Sequence, residues 1–146
     1  SKKGVRNTYL RGDLNALDYS LLEKHSEHHA YVRDWIALRL SETGKLLRPA
    51  EHPAESFYQS FESEDGQAGV ILINADKSAG SRRLLFAVNP SADKEVLLPV
   101  SPEQFGEVVL VANSEKVSTQ GLQDDFARKT GSLCLPSTSS AMWTIT

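Results

Sequence analysis

The sequence predicts a mainly β protein: an antiparallel β-sandwich of about seven to eight strands, preceded by a polar loop and one amphipathic helix. Three observations carry this. Short apolar runs recur at fairly regular spacing after His52-Pro53, turn-forming residues separate them, and no helical period runs among them. The chain has 146 residues, 40% of them hydrophobic and 24% charged, which suits one small globular domain with an appendage.

The chain opens on a polar loop, Asn7 to Tyr19, whose sequence is NTYLRGDLNALDY. Asn7, Tyr9, Arg11, Asp13, Asn15 and Asp18 all carry side chains suited to gripping a ligand, and Gly12 gives the backbone freedom to turn. A helix follows. Ser26 is the expected N-cap, with Glu27 placed to suit the positive helix end. Val32, Trp35, Ile36, Arg39 and Leu40 keep three- and four-residue spacing, giving one apolar stripe lengthened by the arginine stem. Thr43-Gly44 supplies a stop, and Pro49 and Pro53 keep the helix from resuming. The stripe needs a partner surface, either the sheet that follows or something outside this chain.

Strands are expected at Phe57 to Phe61, Val70 to Ile73, Leu84 to Val88, Val96 to Leu98, Val108 to Val111, Leu133 to Leu135 and Met142 to Ile145. Turns fall at Glu64-Asp65-Gly66, Asp76 to Gly80, Asn89-Pro90-Ser91, Pro102, Gly121 and Gly131. The alternation within the strands is imperfect, as expected of strands covered on more than one side. From Val117 to Thr130 runs a long polar excursion, read as a loop with a short helical turn around Asp124 to Arg128.

Composition removes several classes of function. Net charge is −3 and the basic residues come in pairs, Lys2-Lys3 and Arg82-Arg83, so no basic stripe is available for nucleic acid. No apolar run reaches membrane-spanning length. No signal-peptide pattern is visible, which in a piece of a longer chain says nothing about the parent. One cysteine, Cys134 between Leu133 and Leu135, excludes an internal disulfide and reads as a buried structural thiol.

Motifs for chemistry are sparse. His25 and His29 lie four apart beside His28, but Ser26 stands where a metalloprotease helix needs Glu, and no third ligand is suggested. There is no Gly-x-Ser-x-Gly elbow and no phosphate loop. The carboxylate pairs Asp124-Asp125 and Glu64-Asp65 sit in turn-like contexts, with nothing to shield one member and raise its pKa. No metal and no cofactor is expected. In the opening loop, Asn7, Asp13 and Asn15 offer polar groups for sugar hydroxyls and Tyr9 a ring for a pyranose face, though composition alone also fits an ordinary loop.

The order of these residues adds more. RNTYLRGDLNALDY, then a helix carrying WIALR, then an all-β tail, resembles the C-terminal end of pullulanase-type debranching enzymes of the α-amylase superfamily. That family carries Asn-Ser-Tyr, a short gap, Asp, then Asn-Ala-Ile-Asp-Trp. Here the matching residues are Asn7-Thr8-Tyr9, Asp13 and Asn15-Ala16-Leu17-Asp18-Tyr19. Ile36-Ala37-Leu38-Arg39 matches the family's following helix, and Pro136, Ser139-Ser140 and Ala141 to Ile145 resemble its closing strand. Two departures stand out. Tyr19 replaces the usual Trp, and the His-Pro common right after Ala-Leu-Arg comes only at His52-Pro53. The specific match covers roughly the first forty residues.

The resemblance implies a parent with a (β/α)8 barrel whose active site is built on loops at the strand C-terminal ends. Residues 1–44 would then be the loop after strand eight plus the last barrel helix, 45–55 a connector, and 56–146 the C-terminal β-sandwich. Asp13 is the implied sugar-binding residue, with Asn7 and Asn15 as weaker candidates, and Ala16 lacks the arginine some relatives place nearby. The implied partners are the barrel of the parent chain and an α-glucan oligosaccharide. The parent would hydrolyse α-1,6 branch linkages, whereas this stretch lacks the family's catalytic carboxylates and is expected to be structural. Secreted, periplasmic and cytoplasmic parents all fit. Two other readings stand beside it: a carbohydrate-binding module, and a β-sandwich protein-interaction domain.

Overall fold

The computed structural model describes residues 18–123, 128–129 and 132–146. The chain forms two compact units, residues 1–30 and 31–146. In the first, the described part is helical: α1 (Leu21–Lys24) leads into the start of α2 (Ser26–Leu40). The second unit holds the rest of α2 and eight strands: β1 (Tyr58–Glu62), β2 (Gly69–Ile73), β3 (Arg83–Asn89), β4 (Val96–Leu98), β5 (Val108–Asn113), β6 (Arg128–Lys129), β7 (Ser132–Leu135) and β8 (Ser139–Ile145).

The protein is therefore mainly β, with antiparallel pairing throughout the described strands. One sheet runs β1-β2-β3-β8-β5 and the other β4-β7-β6. The chain builds β1, β2 and β3 as successive hairpins, crosses to the second sheet for β4, returns for β5, and crosses again for β6 and β7. It ends by inserting β8 between β3 and β5, pairing Leu85 and Leu110 with Trp143 on either side. A register shift between Leu110 and Ala112 bends β5 against β8.

Each face of the larger sheet feeds a separate core. On one, Leu72, Leu85, Leu110 and Trp143 pack with Leu98, Leu133 and Leu135 of the smaller sheet. On the other, Ile73, Leu84, Val111 and Met142 pack with Leu38 of α2 and with Leu46 and Phe57 from the connecting turns. This two-sided burial explains the imperfect alternation in the larger sheet, and in β7 of the smaller sheet all four residues are buried as well. Cys134 lies there as a buried thiol.

Several expectations need correction. Ser26 is not the N-cap. It is already helical, and His25 precedes it, its carbonyl accepting the His29 N–H at 2.9 Å. Because α1 runs directly into α2, the His25 N–H is itself bonded back to Leu21, at 2.9 Å. The buried helix face also differs from the expected stripe. Tyr31, Trp35 and Leu38 pack towards the sheet, with Tyr31 and Trp35 edge to face at 6.2 Å. Of the stripe, Trp35 alone joins them, while Val32, Ile36 and Leu40 are 44%, 54% and 67% exposed. Two apolar rows share this helix, and the one bearing the larger rings fills the space above the sheet.

The helix ends in two ways at once. Ser41 donates to the Leu38 carbonyl at 2.6 Å, and Arg48 folds back to donate to the carbonyls of Arg39 and Leu40 at 2.9 and 3.3 Å. A cation thus meets carbonyls the last turn leaves unpaired. Gly44 permits the turn, since a Cβ there would collide with the carbonyl oxygens of Leu38 and Arg39. Past it, Thr43–Leu47 forms a 3₁₀ turn that inserts Leu46 into the helix-side core. Finally, Arg128 belongs to β6, not to a helical turn, because Arg128 and Lys129 pair with Leu133 and Ser132. Residues 124–127 of that expected turn lie outside the described residues.

Candidate functional site

The residues singled out for sugar binding, Asn7, Asp13 and Asn15, lie outside the described residues. So do Tyr9 and Arg11.

His25, His28 and His29 are exposed along the helical segment. Among the described residues no three His, Cys, Asp or Glu side chains gather closely enough to hold a metal ion. No described helix is long and apolar enough to cross a membrane.

Three described carboxylates have perturbed acidity, all in the same direction. The Ser56 hydroxyl donates to Asp76 Oδ2 at 2.6 Å and the Ser78 N–H to Oδ1 at 2.9 Å, together holding the Asp76 carboxyl below its ordinary range. Asp65 is lowered by the Ser63 hydroxyl, at 2.6 Å, and then by the Gln67 N–H. Glu42 is lowered by Lys45 Nζ, 2.6 Å away. Each is an ionised acceptor that ties a turn together, the opposite of a carboxyl prepared to donate a proton.

A depressed carboxyl favours the folded state above its ordinary pKa, and that contribution is lost as pH falls through the folded value. Thermal midpoints of the chain should therefore fall as pH drops through the ordinary aspartate value of 3.8 and below. Asp76→Asn should make that fall shallower. An unchanged slope in the variant would show that the Ser56 bond contributes nothing to acid sensitivity.

Among the described residues, one recess lies at the end of the larger sheet where β5 finishes and β8 begins. Its volume is about 270 Å³, and it is lined by Asn113, Ser114, Glu115, Pro136, Ser137, Thr138 and Ser139. Both walls are fixed by their own hydrogen bonds. On one, Asn113 Oδ1 accepts the N–H groups of Glu115 and Lys116 at 2.9 and 2.8 Å, closing the turn after β5. The Asn113 carbonyl takes the Tyr31 hydroxyl at 3.3 Å, and Ser114 Oγ accepts the Ser140 N–H at 2.8 Å.

The other wall is the β7–β8 connection. Ser139 donates to the Pro136 carbonyl at 2.6 Å, and Thr138, in the left-handed region at φ 50°, donates its N–H to the Ser91 carbonyl at 2.7 Å. Behind it the buried Asn89 amide reaches the carbonyls of Lys94, Leu135 and Pro136. Three polar groups on residues that line the recess, the Asn113 Nδ2 amide, the Ser137 hydroxyl and the Glu115 carboxylate, make no hydrogen bond among the described residues.

This recess is not legible in the sequence. Asn113-Ser114-Glu115 and Pro136-Ser137-Thr138 read as two ordinary turns, 21 residues or more apart by their numbering. Only the pairing of β5 with β8 brings them together.

Comparison with protein-family models, with curated proteins and with solved structures found no match to this chain.

Proposed function

We propose that this chain is the C-terminal part of a pullulanase-like glycoside hydrolase acting on α-1,6 branch linkages of α-glucans, and that its own role is structural. In this reading its two sheets form a β-sandwich, residues 56–146. Residues 1–44 close the catalytic barrel, and 45–55 connect the two. The sequence match at Asn7-Thr8-Tyr9, Asp13 and Asn15 to Tyr19 suggests the family, with Asp13, Asn7 and Asn15 contributing to the parent's sugar site.

One observation carries the structural role. Helix α2 is apolar on two sides: Tyr31, Trp35 and Leu38 pack towards the larger sheet, while Val32, Ile36 and Leu40 remain exposed. A helix that ends a barrel and also seals a following domain needs both rows, one for each neighbour. The exposed row also supports a second reading, a protein-interaction domain that uses the same residues to bind another chain.

The test is to follow the reading frame upstream of Ser1 and compare the extended chain with the 146-residue chain on pullulan. The extended chain should release reducing sugar and the shorter one none. An in-frame stop directly upstream, or hydrolysis by the shorter chain alone, would overturn the reading. Concentration-dependent dimerisation lost in Ile36→Asp would favour the second one.

A further inference from the structure

We infer that the recess between the β5 turn and the β7–β8 connection is a binding site for a compact neutral polyol, of the size of a single sugar ring. Three groups, their hydrogen-bonding roles and a wall that is already fixed carry it, whatever the chain's origin.

The Asn113 amide nitrogen carries two donors, and its Oδ1 is already engaged in holding the turn, so the side chain offers a ligand donors and not an acceptor. Ser137 offers a hydroxyl that donates or accepts, and the Glu115 carboxylate only accepts. An anion would suit the amide but be repelled by the carboxylate. An ammonium would suit the carboxylate but has nothing to offer the amide donors. A ligand hydroxyl both accepts and donates, so adjacent hydroxyls on one carbon frame can satisfy all three groups. The Pro136 ring, lining the same recess, supplies an apolar surface for the C–H side of such a frame.

Size agrees with this. About 270 Å³ holds one six-membered ring with its substituents and leaves the rest of a longer glycan in solvent. Preorganisation favours binding too. The Tyr31 bond to the Asn113 carbonyl and the Thr138 bonds to Ser91 hold the two walls before any ligand arrives. The site is open, and each bond formed to the ligand replaces one to water. Affinity should therefore be weak, with Kd on the order of millimolar.

The experiment is an amide ¹H–¹⁵N titration of the full chain with glucose and, separately, with myo-inositol. Saturable shifts should centre on residues 113–116 and 137–140. Asn113→Asp keeps the oxygen that caps the turn and removes the donor pair, so it should weaken binding about fivefold or more. Ser137→Ala, at an exposed position with no side-chain bond to another described residue, should weaken it less and leave the rest of the spectrum unchanged. Shifts that stay linear to the highest concentration would overturn the proposal, as would saturable shifts centred elsewhere. So would binding indifferent to both variants. Inorganic phosphate and ethanolamine serve as controls: saturation by either at these amides would show an ion site instead of a polyol site.

Discussion

Replacing Trp143 by alanine is expected to remove a large share of the chain's stability. The side chain is 0% exposed and stands in β8, the strand inserted between β3 and β5. It is flanked in register by Leu85 and Leu110, and it belongs to the cluster that also holds Leu98, Leu133 and Leu135 of the smaller sheet. Its loss leaves a large void where the two sheets meet, surrounded by side chains already committed to their own strands. Truncations of this kind cost about 3–5 kcal/mol. The whole stability of a small domain is typically only about 5–15 kcal/mol.

Urea unfolding followed by circular dichroism would measure the effect, with Trp35→Ala as the matched control. Trp35 is half-buried on the sheet-facing side of the helix and can be replaced in part by solvent. The midpoint of Trp143→Ala should drop well below that of Trp35→Ala. Equal midpoints would mean that the contact between the sheets is not the main source of stability.

The second large effect is expected at Asn74. This residue is fully buried at the end of β2, with φ 61° in the left-handed region. Asparagine accepts that conformation better than most residues, and here its amide organises the loop to β3. Nδ2 donates to the carbonyls of Gly80 and Arg82 at 2.8 and 2.7 Å, and Oδ1 accepts the Ala79 N–H at 2.9 Å. Alanine would leave three backbone groups without that partner and would sit in a backbone region hostile to its Cβ. The combined cost should be about 2–4 kcal/mol.

Asn74→Gly separates the two causes. It removes the same three bonds but tolerates the positive φ, so it should recover about 1 kcal/mol relative to alanine. If the two variants unfold at the same urea concentration, the cost lies wholly in the hydrogen bonds. If both match the parent, the loop is not set by Asn74 at all.

The positions of the strands were largely legible. Val96 to Leu98 appears as β4 with the same ends, and the other expected strands differ by one to three residues at an end. These runs are long enough in valine, leucine and isoleucine, and punctuated firmly enough by Asp65-Gly66, Gly80 and Asn89-Pro90, for local chemistry to locate them. β6 was not legible, because Arg128 and Lys129 carry no apolar signal and become a strand only by pairing with Leu133 and Ser132. The recess was hidden for a related reason. Asn113 and Ser137 each look like turn residues, and nothing in either stretch announces the other.

The sequence by itself determined that the chain would be mainly β, where its turns would fall, and that α2 would stop near Gly44. These depend on conformational preferences acting over a few residues. Tertiary structure decided which side of α2 would be buried, since Tyr31-Trp35-Leu38 and Val32-Ile36-Leu40 are both apolar rows at helical spacing. It also decided that β8 would lie between β3 and β5, bringing Asn113 beside Ser137. Helical spacing identifies a face that can be buried, and alternation a strand that can pair. The choice of partner comes from the fit of distant surfaces: here the rings of Tyr31 and Trp35 over the sheet, and Trp143 between its neighbours.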